Sequence, residues 1–412
     1  MGLPEDNGLF MPERIPLIPQ SFFDKIAQLN FKEIAQTVCQ TLLGDVLDNK
    51  VISNIVGEVF DFEVPVKQVT SDIYCLELFH GPTLAFKDFG ARFMAHLLGH
   101  LLDEHDARPC ILVATSGDTG SAVAQGFYQV PGIDVVILYP SGKVSEIQEK
   151  QLTTIGGNVT ALEIKGNFDD CQRLVKTAFL DQDLKKHRNL TSANSINIAR
   201  LIPQSFYYFQ AYAQLKHLNR PMVCSVPSGN FGNLMGGLLA QKMGLPIDHF
   251  IVANNKNKVF YNYLKSGSFQ AQPSIETISN AMDVGNPSNF VRVMDLFNHD
   301  YNSLCKTITG YTFNDDQTRS AISKVYQNSR YIMDPHGAVG YLALEKYLHS
   351  NPQAVGVFLG TAHPAKFIDV VQPLVAEPIE IPDQLKQVLN RQKMATLLPA
   401  TFDELKRFLL SV

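Results

Sequence analysis

CILVATSGDTGSAVAQGFY, residues 110–128, is the stretch from which the fold is read. Cys110 to Ala114 is apolar throughout, the pattern of a strand buried on both faces. Ser121 to Tyr128 has the spacing of an amphipathic helix. Between them Thr115-Ser116-Gly117-Asp118-Thr119-Gly120 is a small-residue polar turn. A buried strand, a tight turn and a helix make one β/α unit, and a chain of such units predicts parallel sheets with helices on both faces.

The alternation continues in both directions. Upstream, Asp72 to Leu78 precedes a helix from Phe89 to Leu102. Downstream follow Val135 to Leu138 with Val144 to Thr154, Val159 to Ile164 with Asp169 to Lys185, and Met222 to Val226 with Gly232 to Met243. Ile247 to Val252 and Ala354 to Leu359 are further strands, the second followed by a helix from about Pro364. Residues 1 to about 70 carry only short helix-like patterns, Phe22 to Leu29 and Phe31 to Leu43, and read as a separate helical N-terminal region. Asn254 to Asn314 is polar, broken by turn clusters, and reads as an insertion with short helices.

Composition narrows the function classes. A chain of 412 residues, 45% hydrophobic and 18% charged, buries a large core and divides into two or three domains. With 35 Lys+Arg against 40 Asp+Glu the formal net charge is −5, which offers no basic footprint for nucleic acid or an anionic membrane. Cys39, Cys75, Cys110, Cys171, Cys224 and Cys305 are scattered without a CxxC pair and read as reduced thiols of a cytoplasmic protein. The acidic, proline-broken Met1 to Asp6 predicts no export or lipid address. The uncharged run Pro221 to Gln241 is interrupted by serine, asparagine, proline and glycine and predicts no membrane span. His96 and His100 lack the glutamate of an HExxH pair, so no metal site is expected.

Three loops share the design of the opening stretch: Thr115 to Gly120, Ser228-Gly229-Asn230-Phe231-Gly232-Asn233, and Gly360-Thr361-Ala362-His363-Pro364. Beyond the carboxyl ends of parallel strands, helix-start amides meet anionic ligands. One glycine turn is an ordinary connection; three of one design point to a shared cleft. Neither GxxxxGK[ST] nor GxGxxG is present, which disfavours nucleotide hydrolysis and dinucleotide binding. Leu84-Ala85-Phe86-Lys87-Asp88-Phe89-Gly90 sets a lysine among apolar and aromatic residues, where burial disfavours the ammonium form and favours a nucleophilic amine. Read from these residues alone, Lys87 as a solvated side chain beside a helix-capping Asp88 is the favoured reading.

His80-Gly81-Pro82-Thr83-Leu84-Ala85-Phe86-Lys87-Asp88-Phe89-Gly90 resembles the pyridoxal-phosphate lysine motif of the threonine synthase family. The resemblance extends in order through Ala114 to Gly120, Ser192-Ala193-Asn194-Ser195-Ile196-Asn197-Ile198-Ala199-Arg200, Val226 to Gly232 and Gly360 to Phe367, and is weakest over residues 254 to 330. It implies an α/β fold: two doubly wound parallel-sheet lobes with the cofactor in the cleft between them, plus a small helical N-terminal region. The implied division is residues 1–70 as the helical region, 71–87 with 205–412 as a large cofactor-binding domain, and 88–204 as a small α/β domain.

The resemblance further implies that Lys87 holds pyridoxal 5'-phosphate and then serves as the proton-transfer base. Gly229, Asn230, Phe231, Gly232 and Asn233 would hold the cofactor phosphate, Thr361 would face the ring nitrogen, and Asp118 would lie on the cofactor side, where the wider class usually carries asparagine. Ser116, Gly117 and Thr119 would hold the substrate carboxylate, Asn194, Ser195, Asn197 and Arg200 its phosphate, and Thr83 would also bind the substrate. His336 lies in a family-like stretch without an implied role. The implied reaction turns O-phosphohomoserine and water into L-threonine and phosphate, in a cytoplasmic monomer or homodimer. The alternative is another pyridoxal-phosphate lyase of this fold, such as a phospholyase or a hydroxy-amino-acid dehydratase.

Overall fold

Eleven strands form among the described residues, seven of them from the apolar runs read above, which are short for helices and rich in β-branched side chains. The structure, a computed structural model, describes residues 8–102 and 108–411. The strands are β1 (Val66–Gln68), β2 (Ile73–Glu77), β3 (Pro109–Ala114), β4 (Asp134–Pro140), β5 (Val159–Lys165), β6 (Asn189–Ser192), β7 (Met222–Pro227), β8 (Ile247–Asn254), β9 (Ile308–Thr312), β10 (Val355–Gly360) and β11 (Thr396–Pro399). The chain divides into two compact units.

The first unit contains Lys87–Arg200 and Ile381–Val412. Its five strands run in the order β11-β5-β4-β3-β6, every pair parallel. Alternation along the strands sorts side chains to opposite faces. Ile111, Val113, Val135 and Ile137 join Ala122 and Phe127 in one cluster, whereas Leu112, Val136 and Leu138 join Leu174, Ala178 and Leu409 in the other. Helices therefore cover both faces, as the sequence predicts.

The second unit contains Met11–Phe86 and Leu201–Glu380. Its sheet runs β1-β2-β10-β7-β8-β9, parallel except for the edge strand β1 against β2. The N-terminal region is helical as expected, with Gln20–Lys25, Phe31–Leu43 and Asn49–Val59. It is not a body of its own: Phe23 stacks on Phe209 at 6.2 Å and Phe60 meets Phe206 edge-on at 5.8 Å, which seats these helices on Phe206–Leu215.

The implied boundaries draw residues 205–412 into one piece, and here the backbone differs. β11 pairs with β5, and Leu405 and Leu409 of the last helix pack with Leu174, so the tail completes the first unit. The segment read as an insertion carries the expected short helices, Val259–Ser266, Phe290–Leu296 and Tyr301–Thr307, but ends in the sheet strand β9. Each glycine-bearing loop singled out in the sequence follows the carboxyl end of its strand: Thr115 follows β3, Ser228 follows β7 and Thr361 follows β10.

Candidate active site

In the first unit, Lys87 opens the helix Lys87–Leu101 and is half-buried. The next residue, Asp88, is 1% exposed, and Arg200 is 3% exposed. Arg200 donates from its guanidinium to the carbonyl of Ala193. Burial lowers the guanidinium to about 10, and the charge of Asp88 opposes that shift. Gly90 leaves the room for this arrangement, since a Cβ there would lie 2.5 Å from the Arg200 carbonyl oxygen.

Asn194 and Asn197 shape the same turn: Asn194 Nδ2 donates to the Ala114 carbonyl at 3.0 Å, and Asn197 Nδ2 to that of Ser192 at 3.0 Å. Asn194 is thereby tied to the end of β3, where the Thr115–Gly120 turn begins. There Thr115 Oγ1 accepts the amides of Gly117 and Gly120 at 3.0 and 2.8 Å. Gly117 sits at φ +139, and a Cβ would come within 2.6 Å of the Gln148 side chain, so only glycine fits. Gln148 Nε2 donates to Asp118 Oδ1 at 2.9 Å, holding that buried carboxylate at the helix start. Ser116 and Thr119 are the partly exposed members of the turn.

In the second unit, the loop after β7 is equally constrained. Ser228 donates from its amide to the Ala253 carbonyl at 2.9 Å, and Phe231 takes a left-handed backbone at φ +61 before the helix Gly232–Lys242. A Cβ on Gly229 would lie 2.8 Å from the Ala281 carbonyl oxygen. Asn230 Oδ1 accepts the Ser288 amide at 3.1 Å, and the Asn230 carbonyl accepts from Asn289 Nδ2 at 2.8 Å. Asn233 Oδ1 accepts the hydroxyls of Tyr207 and Tyr208 at 2.7 and 2.8 Å. Its Nδ2 is then a buried donor with no hydrogen-bond partner among the described residues.

Around β10, Thr361 is 7% exposed and its carbonyl accepts the Phe86 amide at 2.9 Å. Thr83, 3% exposed, has its carbonyl fixed by Lys366 Nζ at 2.8 Å. Burial, with His80 beside it, pushes the His363 imidazole down to about 4, so it is neutral at pH 7. Tyr207 and Tyr208 escaped the sequence reading because FYYF at 206–209 reads as helix core, and their hydroxyl bonds leave no signal in spacing. No group of three or more His, Cys, Asp or Glu side chains able to hold a metal occurs among the described residues. No described helix is long and apolar enough to cross a membrane.

Family profiles match the whole of this architecture: "Pyridoxal-phosphate dependent enzyme" over residues 60–359, "Threonine synthase N terminus" over 1–60 and "Threonine synthase, C-terminal" over 337–409. Threonine synthase of Escherichia coli K12 is 44% identical over 100% of this chain and 95% of its own length. That of Saccharomyces cerevisiae is 32% identical over 95% and 90%. The crystal structure of the E. coli enzyme superposes with a TM-score of 0.93, covering 100% of this chain and 95% of that one at 43% identity. A pyridoxal-phosphate-bound threonine synthase from Brucella melitensis superposes at 0.92 with 32% identity, covering 100% and 94%. The lysine at a helix start, the two glycine-only turns and these full-length likenesses agree, and the chain belongs to the threonine synthase family of pyridoxal-phosphate-dependent enzymes.

Proposed function

We propose that this chain converts O-phosphohomoserine and water into L-threonine and phosphate, with pyridoxal 5'-phosphate held by Lys87, Asp118, Gly229–Asn233 and Thr361. The observation that carries the reading is the Asn233 side chain, whose oxygen is saturated by two tyrosines and whose buried Nδ2 therefore has a donor to give. A donor of that kind at a helix start, beside a glycine walled by the Ala281 carbonyl, fits a phosphate monoester without any lysine. When bound, the cofactor supplies the electron sink that makes the substrate's Cα and Cβ protons removable.

The chain's own residues do the rest. The Lys87 amine takes the Cα proton and returns it at the end of the turnover. Ser116, Gly117 and Thr119 receive the substrate carboxylate at the start of the helix Asp118–Phe127, where the dipole favours an anion. Asn194, Ser195 and Asn197 receive the substrate phosphate, with Arg200 behind them as a buried cation whose field water scarcely screens. Thr83 would bind the substrate, and Thr361 would help hold the cofactor, offering a neutral hydroxyl to its ring. A proton leaves Cβ, the Cγ–O bond to phosphate breaks, water adds its hydroxyl at Cβ while its proton goes to the bulk, Cγ gains a proton in place of the phosphate, and the Cα proton is returned. The setting is the cytoplasm, and the working unit is a monomer or homodimer.

The decisive assay gives O-phosphohomoserine to cofactor-loaded protein and measures phosphate, threonine and 2-oxobutyrate together. Equal phosphate and threonine are expected. Phosphate with 2-oxobutyrate would assign a phospholyase instead, and no phosphate at all would return the chain to the dehydratases.

The cradle has its own check. Asn233→Asp keeps the acceptor for both tyrosines and replaces the free donor by an anion, so Kd for pyridoxal 5'-phosphate is expected to rise roughly 100-fold. Absorbance titration of the apoprotein reads this, and an unchanged Kd removes Asn233 from the site.

A further inference from the structure

Asp334-Pro335-His336-Gly337 has no part in the site described so far, yet it is among the most buried polar groups of the second unit: both Asp334 and His336 are 2% exposed. Asp334 caps the helix Pro335–Ser350, its carboxylate accepting the amides of His336 and Gly337 at 2.9 and 3.1 Å. The same carboxylate lies 2.7 Å from His336 Nδ1. With Nε2 accepting a backbone N–H, the ring hydrogen lies on Nδ1 and is donated to Asp334. Nε2 accepts the backbone N–H of Ala281 at 3.2 Å. Phe367 meets the ring edge-on with centroids 5.0 Å apart and limits its rotation.

Ala281 belongs to the turn Asn280–Met282, which walls the loop after β7: at Gly229 an added Cβ would meet the Ala281 oxygen at 2.8 Å and the Met282 Cα at 3.2 Å. The turn is pinned at its far end by Asp283, whose carboxylate accepts from the Thr277 hydroxyl at 2.7 Å, Asn255 Nδ2 at 2.8 Å and Asn257 Nδ2 at 3.0 Å. Asp283 fixes where the turn leaves, and His336 fixes its middle residue.

We propose that His336 is a positioning residue for the phosphate cradle: its Nε2, oriented by Asp334, holds Ala281 against Gly229 and so keeps the amides of Gly229–Asn233 at the spacing a phosphate monoester requires. This rests on the reading of Gly229–Asn233 as that cradle. The path is short and every link is a hydrogen bond or a van der Waals contact, from Asp334 through the imidazole to the Ala281 amide and from the Ala281 carbonyl to Gly229. His336 itself touches no reacting atom.

The test compares the full-length apoprotein titrated with pyridoxal 5'-phosphate and with pyridoxal, which lacks the phosphate, following visible absorbance. His336→Asn keeps a donor near the Nδ1 position and has no atom at Nε2; His336→Gln sets an oxygen near Nε2 that accepts the Ala281 amide. His336→Asn is expected to raise Kd for pyridoxal 5'-phosphate at least about 10-fold and to leave that for pyridoxal within twofold, while His336→Gln recovers most of the loss. Equal binding of the two probes by the unaltered protein would overturn the cradle itself. A cradle that still discriminates in His336→Asn as in the unaltered protein, or an equal loss for both probes, would overturn only the role of His336. Should His336→Asn fail to fold, His336→Gln decides: phosphate discrimination retained supports the role, and discrimination lost refutes it.

Discussion

Replacing Lys87 by alanine is expected to lower kcat for threonine formation at least about 10⁴-fold while the protein stays folded. Two losses combine. The substrate's Cα proton then has no carrier, and the cofactor has no side-chain amine to hold it. Neither loss draws on the core, because Lys87 is half-buried at the first position of its helix and alanine is the better helix former. Asp88 still stands at the helix start, and the bond of Arg200 to Ala193 does not involve Lys87. The measurement is phosphate and threonine release, paired with circular dichroism and Tm. A Tm within a few degrees beside lost turnover is expected, and partial recovery with added ethylamine would mark the missing group as an amine base. Turnover within 100-fold of the unaltered protein would take Lys87 out of the proton path.

What the sequence made legible follows from burial. Strands covered on both faces, such as Leu112-Val113 and Val226 to Pro227, read as apolar runs because neither face meets water. Edge strands had no such signal: β6 is Asn189–Ser192, β11 is an exposed Thr396–Pro399, and both are only four residues long. The tail belongs with the first unit because a four-residue strand, silent in the sequence pattern, ties it to β5. The glycine turns were legible as turns, but their strictness was not: that Gly229 tolerates no Cβ depends on Ala281, 52 positions away in the chain. Asn233 shows the same limit, for its orientation is set by Tyr207 and Tyr208, which by composition are merely core aromatics. The family motif singles out Lys87, since its apolar neighbourhood alone favours a solvated lysine.

Asp88→Asn is expected to cost the protein about 3–5 kcal/mol, because it keeps the shape of the side chain while leaving Arg200 as a buried cation without its counter-charge. Burial already lowers the Arg200 guanidinium to about 10, and the negative charge of Asp88 opposes that shift. The arginine has little freedom to escape: its guanidinium is bonded to Ala193, and its backbone presses on Gly90, where no side chain could be fitted. Tm of the transition that reports the first unit should fall by roughly 10 °C, and an unchanged Tm would mean that the pair carries no such strain. The double variant Asp88→Asn with Arg200→Met removes both charges and should recover most of the stability, since a buried pair replaced by an apolar side chain of similar volume is often neutral or better. That recovery makes the catalytic question separable from the structural one. If Arg200 also supplies the field that holds the substrate phosphate, the stabilised double variant should bind O-phosphohomoserine weakly, with KM raised roughly 100-fold while Kd for pyridoxal 5'-phosphate stays put. An unaltered KM in a protein of restored Tm would make Arg200 a structural cation only, and would leave the substrate phosphate to Asn194, Ser195 and Asn197.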